Sequence, residues 1–281
     1  MKTFPEIDDI RRERWADPLT SWGLVPTMGF LHAGHLSLVR RARRENDRVG
    51  VSIFVNPIQF DNQADLDAYP HTFEGDVELL RERGVNLVWA PSVEEMYPPS
   101  FQTYVNVQEL TQPLEGAHRP GHFSGVTTVV AKLFNVFQPT RAYFGQKDAQ
   151  QAAVIRQMAR DLAFNLSVVV CPIVREADGL ALSSRNVRLK GEERRAATVL
   201  YRSLQAARSE WLDGERSADH LRETIRTLIE AEPLARIDYV SLADPDTLQE
   251  IEGEAEKALV SMAVFIGETR LIDNVILGEG E

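Results

Sequence analysis

Short apolar segments alternate with amphipathic ones through about residue 174 of this 281-residue chain, and no other feature restricts the fold as much. Apolar runs at 24–26, 49–56, 86–90, 104–107, 141–144 and 166–170 read as strands. The stretches 35–45, 73–83, 126–137 and 148–163 place apolar residues at helical spacing. Strand and helix in alternation predict an α/β fold: a mostly parallel sheet with helices on both faces. Gly84 and Pro139 follow two of the helical stretches, where stop residues belong. The pattern changes after Arg175-Glu176-Ala177-Asp178-Gly179. Helices over 192–212 and 218–229 precede strands over 237–242, 258–265 and 269–276. That order predicts a smaller C-terminal α+β domain with an antiparallel sheet. The expected domains are therefore 1–174 and 175–281.

Composition narrows the function classes. A net charge of −11 argues against a nucleic-acid partner, which needs clustered Lys and Arg. Anionic substrates must then be drawn in by local basic residues against the overall field. Between residues 210 and 257 fourteen acids face five bases, a solvated acidic surface. Cys171 is the single cysteine, which excludes an internal disulfide and suits a reducing compartment. Its setting, Leu166-Ser167-Val168-Val169-Val170-Cys171, reads as a buried structural thiol. No signal-peptide core is expected near the N-terminus, and no apolar run reaches the roughly 18 residues of a membrane span. The expectation is a soluble, cytoplasmic protein.

In open parallel sheets ligands bind beyond the carboxyl ends of strands, and the chemical residues fall there. The segment Pro26-Thr27-Met28-Gly29-Phe30-Leu31-His32-Ala33-Gly34-His35 places two imidazoles three apart where strand gives way to helix. Such a junction offers backbone N–H groups to an anion, and the imidazoles add donors for phosphate oxygens. A helix cap or a metal pair are the competing readings of the same spacing. Asn56-Pro57-Ile58-Gln59 follows the second strand. There Gln59 suits a small ligand's hydroxyls or carboxylate, whereas Asn56 also fits a plain turn. Phe144-Gly145-Gln146-Lys147-Asp148 is again strand, glycine, helix start. Lys147 stands out because the chain holds five lysines against twenty-six arginines. Its ammonium suits a phosphoryl or carboxylate oxygen, Asp148 suits an N-cap, and Gln151 lies one turn on. Leu182-Ser183-Ser184-Arg185 suits terminal phosphates, or a Ser turn or cap. The stretch 115–125 reads as a Gly- and Pro-rich loop over a site or on the surface.

Together these blocks resemble the pantoate–beta-alanine ligase family of the HxGH nucleotidyltransferase superfamily. The resemblance rests on PTMGFLHAGH at 26–35, SIFVNPIQF at 52–60, DLDAYPHT at 65–72, RPGHFSGV at 119–126, FGQKDAQQ at 144–151 and VREADGLALSSRN at 174–186. It implies a Rossmann-like nucleotide- and pantoate-binding domain, with the C-terminal domain covering the active site. It also implies a two-step reaction. The carboxylate of (R)-pantoate attacks the α-phosphorus of ATP to give pantoyl adenylate and pyrophosphate. The amine of beta-alanine then displaces AMP to give pantothenate. The catalytic set implied is His35 (proton donor), His32, Lys147, Ser183, Ser184 and Arg185. ATP contacts implied are Pro26, Thr27, Met28, Gly34, His35, Gly145, Lys147, Asp148, Val174, Leu182, Ser183, Ser184 and Arg185. Pantoate and beta-alanine contacts implied are Gln59, Gln151, Met28 and Asn56. Mg²⁺ is expected to travel with ATP, with Asp76 as a possible protein contact, and a homodimer is expected. Leu182, Ile58, Gln146, His71 and Ser124 depart from the family's commonest residues, none of them in the implied catalytic set. A related nucleotidyltransferase that keeps the nucleotide in its product, or an ATP-binding protein without turnover, is the alternative.

Overall fold

A computed structural model describes residues 1–61 and 63–278. Six strands, β1 (Lys2–Phe4), β2 (Trp22–Thr27), β3 (Arg48–Ile53), β4 (Leu87–Trp89), β5 (Arg141–Gly145) and β6 (Ser167–Cys171), form one sheet in the order β1-β4-β3-β2-β5-β6. Every neighbouring pair in it is parallel. The intervening helices are α1 (Ile7–Trp15), α2 (Ala33–Glu45), α3 (Gln63–Asp67), α4 (Phe73–Glu82), α5 (Val93–Met96), α6 (Glu115–His118), α7 (His122–Phe137) and α8 (Ala149–Asp161). The expected α/β class with helices on both faces is what the chain adopts. Alternate strand residues feed two cores. Leu24, Ala142 and Phe144 join Ile10 of α1, Ile155 and Met158 of α8 and most of α7. Val25, Val49, Val51 and Val88 join Leu38, Val39 and Ala42 of α2 and Leu80 of α4. Strands buried on both faces read as continuous apolar runs, which makes them visible in sequence.

The switch point of the sheet lies at β2, flanked by β3 and β5. Ladder pairing of β2 with β5 ends at Leu24–Ala142, while pairing with β3 continues to Thr27–Ile53. Pro26, which has no N–H to donate, stands where the β5 ladder has already stopped. A crevice at that position is where ligands bind in such sheets.

Two expectations for this region need correction. The run 104–107 is not a strand. Thr128 Oγ1 accepts from the Val105 N–H at 3.0 Å and Thr127 Oγ1 donates to the Val105 carbonyl at 2.5 Å. The hydroxyls of α7 thus replace a ladder partner. The stretch 115–125 is not a single loop, because α6 occupies 115–118 and α7 starts at His122. The polar N-terminal residues supply β1 and α1, which periodicity does not reveal in so short an edge strand.

Residues 147–150 and 173 onward group as a second compact unit, apart from 1–146 and 151–172. Its helices are α9 (Glu192–Ala196), α10 (Val199–Leu212) and α11 (Ala218–Glu230). Its strands β7 (Ala235–Ala243), β8 (Ala258–Ile266) and β9 (Thr269–Leu277) form an antiparallel sheet in that order. The expected antiparallel α+β unit is present, but the helix expected over 192–212 is two, α9 and α10. Leu204, Ala207, Leu221 and Ile225 pack on Val260, Met262 and Val264. Among the described residues no helix is long and apolar enough to cross a membrane.

Phe137 is fully buried between Trp89 and the rest of the first core. Its replacement by alanine is expected to lower stability by about 3–5 kcal/mol, the usual cost of an aromatic cavity. Equilibrium urea unfolding followed by circular dichroism measures this, and a loss below about 1 kcal/mol would contradict the packing described.

Candidate active site

The turn between β2 and α2 is held by side chains that take up its N–H groups. Asp76, on α4 and 2% exposed, accepts from Phe30 N (Oδ2) and Leu31 N (Oδ1), both at 2.8 Å, and from Thr72 Oγ1 at 3.2 Å. Gly29 (φ 83°) and Phe30 (φ 52°) are both left-handed, so the chain reverses sharply here. A side chain on Gly29 would meet Asp76 Oδ2 at 3.1 Å and Ile53 Cγ2 at 3.2 Å, so glycine is required. Asp76, the possible metal contact of the sequence, has each carboxylate oxygen bonded to a backbone amide of this turn.

His32 and His35 sit at the start of α2. His32 is the N-cap, and its Nδ1 accepts from Gly34 N at 3.1 Å. His35 Nδ1 accepts from His32 N at 3.4 Å, and the rings lie 4.1 Å apart at 35°. The helix-cap reading is therefore correct, and it has a chemical consequence. A ring nitrogen that accepts carries no proton, so each neutral imidazole holds its N–H on Nε2. Capping thus makes both rings donors on their far edge, at the positive end of a helix dipole. Of the other residues in the block, Thr27 is buried and donates to the Ser52 carbonyl at 2.7 Å. Gly34 lies in the first turn of α2.

Gln59 is oriented by a chain of hydrogen bonds whose direction is forced. The Gly125 carbonyl can only accept, and Asn56 Nδ2 donates to it at 3.1 Å. The same nitrogen donates to Gln59 Oε1 at 2.9 Å, while Asn56 Oδ1 accepts from Tyr97 OH at 2.8 Å. Burial pushes the Tyr97 phenol's pKa up, so it stays a donor. Gln59 must then present its Nε2, which lies 3.1 Å from Met28 Sδ. The backbone of Gln59 is clamped as well. His122 Nδ1 donates to its carbonyl at 2.8 Å and Arg119 Nη2 at 3.3 Å. Arg119 also pairs with Asp61 at 2.6 Å and reaches His122 Nε2 at 3.2 Å. Gly125 is glycine because a Cβ would stand 2.5 Å from the Ile58 carbonyl oxygen. Asn56 is 1% exposed, and its amide is engaged inside the protein, where it orients Gln59.

Gly145 ends β5, and a Cβ there would meet nothing within 4 Å. Gln151 lies in the first turn of α8, half-buried. The second unit holds the remaining expected residues. Lys147 lies in the 3-10 turn Gln146–Asp148, with Nζ 3.7 Å from Asp148 Oδ1 and a side chain 18% exposed. Asp148 immediately precedes α8. Leu182 N donates to the Val174 carbonyl at 2.9 Å, next to an antiparallel bridge between Arg175 and Ala181. Ser183 Oγ accepts from Arg185 N at 3.2 Å and caps the 3-10 helix Ser184–Arg188. The capping alternative for the Ser pair is therefore also correct, and it leaves the Ser183 hydroxyl hydrogen directed away from the cap. The structure thus brings His32 and His35 together, Gln59 to Met28, and Val174 to Leu182.

Tyr97, Arg119 and His122 escape the sequence reading as positioning groups. RPGHFSGV is noticeable, but nothing in it points to the Gln59 carbonyl. Tyr97 lies in no motif at all. Among the described residues no three His, Cys, Asp or Glu side chains cluster to hold a metal ion.

Comparison with known proteins agrees across nearly the whole length. A family profile described as pantoate-beta-alanine ligase matches residues 1–276. A pantothenate synthetase of Roseiflexus sp. (strain RS-1) is 58% identical over 277 residues, 99% of each chain. The crystal structure of pantothenate synthetase from Thermus thermophilus superposes with a TM-score of 0.93 at 49% identity, covering 98% of this chain and 99% of that one. A pantoate-beta-alanine ligase from Francisella tularensis, complexed with beta-gamma ATP and beta-alanine, matches with a TM-score of 0.80 at 34% identity. That match covers 100% of this chain and 99% of the other.

The Asp76 clamp and the buried His122 each have a measurable consequence. Asp76→Ala leaves two N–H groups without their charged acceptor, so stability should fall by about 3–6 kcal/mol. Hydrogen exchange at the Phe30 and Leu31 amides should speed selectively, and unchanged exchange there would refute the clamp. His122 is held below its ordinary pKa of 6.5 by burial first and the Arg119 charge second. As pH falls through 6.5 the unfolded chain takes the proton first, so stability present above that pH is lost below it. His122→Gln should flatten this part of the stability–pH curve relative to the parent, as thermal unfolding between about pH 5 and pH 8 would measure.

Proposed function

This chain belongs to the pantoate-beta-alanine ligase family, and we propose that it makes pantothenate from (R)-pantoate, beta-alanine and ATP through a pantoyl-adenylate intermediate. The observation that carries the mechanism is the pair of backbone hydrogen bonds accepted by His32 and His35 Nδ1 at the sheet's switch point, which leave the N–H of each neutral ring on Nε2. Attack of a carboxylate on a polyphosphate brings two anions together, so donors must offset that repulsion before the bond forms. A carboxylate oxygen of pantoate bonds to the α-phosphorus, and the bond from that phosphorus to the bridging oxygen breaks. Pyrophosphate leaves with the electron pair. The Nε2–H groups of His32 and His35 meet the charge that builds on the phosphoryl oxygens, with His35 as proton donor. Lys147, Ser183, Ser184 and Arg185 supply cationic and hydroxyl donors for the phosphates. Backbone at Pro26, Thr27, Met28, Gly34, Gly145, Val174 and Leu182, with Asp148, holds the nucleotide. The open space beside Gly145 favours close approach of that ligand.

Gln59 offers an N–H of fixed direction to pantoate, with Gln151 and Met28 beside the same substrate. The amine of beta-alanine then attacks the acyl carbon, the acyl–oxygen bond to AMP breaks, and the ammonium proton is lost to solvent. No enzyme-bound covalent intermediate is needed, so positioning and charge carry the rate. Mg²⁺ belongs to this reading as an ion carried by ATP. Held mostly by phosphate oxygens and water, it would neutralise phosphate charge. The same reading places the enzyme in the cytoplasm as a homodimer, which light scattering tests.

Pyrophosphate exchange into ATP, run with pantoate and without amine, tests the adenylate step. Exchange that requires pantoate is expected, and its absence with folded protein would refute the step. His35→Ala and Lys147→Ala should each lower this exchange by more than about tenfold without unfolding the chain. Near-native rates in both would refute the assignment of the phosphate donors.

A further inference from the structure

Within the second unit, the last strand touches three of the segments assigned to phosphate binding, through different residues. Asp273 and Asn274 are adjacent on β9, so their side chains leave the strand on opposite faces. Asp273, 2% exposed, receives both terminal nitrogens of Arg175, at 2.6 Å and 2.9 Å. The Arg175 guanidinium lies 4.6 Å over the Tyr201 ring, and residue 175 is next to Val174. Asn274, 3% exposed, sends Nδ2 to the Lys147 carbonyl at 2.9 Å, across 127 positions of sequence. The 3-10 helix Ser184–Arg188 also packs against β9. Asp273 Oδ1 accepts the Asn274 N–H at 2.8 Å, which ties the two residues to each other.

We propose that Asn274 is a positioning residue for Lys147, fixing the backbone from which the ammonium is aimed at the phosphates. The proposal rests on the role given to Lys147 above. A carbonyl held by a buried amide fixes the peptide plane of residue 147, and with it the direction of its Cα–Cβ bond. Hydrogen-bond geometry in a 3-10 turn is poorer than in an α-helix, so a buried partner for the Gln146–Asp148 turn adds to its definition. Only a donor serves here, since the Lys147 carbonyl accepts and cannot give. Asparagine satisfies that requirement, whereas aspartate of the same shape would set oxygen against oxygen. Asn274 faces Ser261 across the ladder, and Ser261 in turn faces Ser241, so a row of three buried polar residues crosses this side of the sheet. An apolar sheet face would have needed no such row.

The test is a double-mutant cycle on pantoate-dependent pyrophosphate exchange, combining Asn274→Asp and Asn274→Ala with Lys147→Ala. In the parent background Asn274→Asp should slow exchange about tenfold or more, as sub-ångström misplacement of a charge does, with Asn274→Ala milder. In the Lys147→Ala background the same changes should cost less than about twofold, because there is no ammonium left to aim. A merely structural role would slow both backgrounds equally, and that result would overturn the proposal. So would near-native exchange in both Asn274 variants while Lys147→Ala is slow, an outcome that leaves the Lys147 assignment standing. Near-native exchange in Lys147→Ala would remove that assignment and the proposal with it. If neither Asn274 variant folds, the residue is structural and the proposal fails.

Discussion

The buried carboxylate of Asp76 bonded to two consecutive N–H groups is the interaction on which the rest of the first unit's site depends. Phe30 at φ 52° is in a region that costs a side-chain-bearing residue roughly 1–2 kcal/mol. Two hydrogen bonds to an ionised acceptor contribute about 1.5–3 kcal/mol each, so the clamp outweighs the strain. Without the reversal at Gly29 and Phe30 the chain would leave β2 in a different direction, and His32 would not stand at the N-cap of α2. The protonation pattern of the two imidazoles therefore follows from a carboxylate on α4, which acts on them only through the backbone of the turn.

The α/β class and most strands are legible because a parallel sheet covered on both faces writes unbroken apolar runs into the sequence. The chemical residues are legible because strand ends and helix starts concentrate them. The run 104–107 has the composition of a strand yet none of its surroundings, since Thr127 and Thr128 meet its backbone from a helix. No local pattern records a partner so far along the chain. At Asn56 and Asp76 the sequence shows that a polar side chain is present, and only the fold shows which buried backbone groups it bonds.

Capping and chemistry are one arrangement here rather than competing readings. Histidine at an N-cap and serine before a 3-10 helix each offer an acceptor atom to the backbone and keep a donor for something else. His32 uses Nδ1 in this way and Ser183 uses its oxygen lone pair. A side chain held at one atom by the backbone loses rotational freedom before a ligand arrives, and less ordering is then required on binding. Residues with both a donor and an acceptor are suited to this double use. Lysine has no side-chain acceptor, so at Lys147 the backbone carbonyl is what accepts such a bond, from Asn274.

An uncharged amide at position 59 follows from the same constraint. A carboxylate there could still accept from Asn56 Nδ2, so the internal chain from Gly125 would survive the exchange. The outward atom, however, would become an anionic oxygen in a protein that already carries a net charge of −11. Toward the acid substrate proposed above, that oxygen would repel where Nε2 would attract. The carbonyl of Gly125, fixed as an acceptor, thereby determines that Gln59 presents a donor, two side chains away.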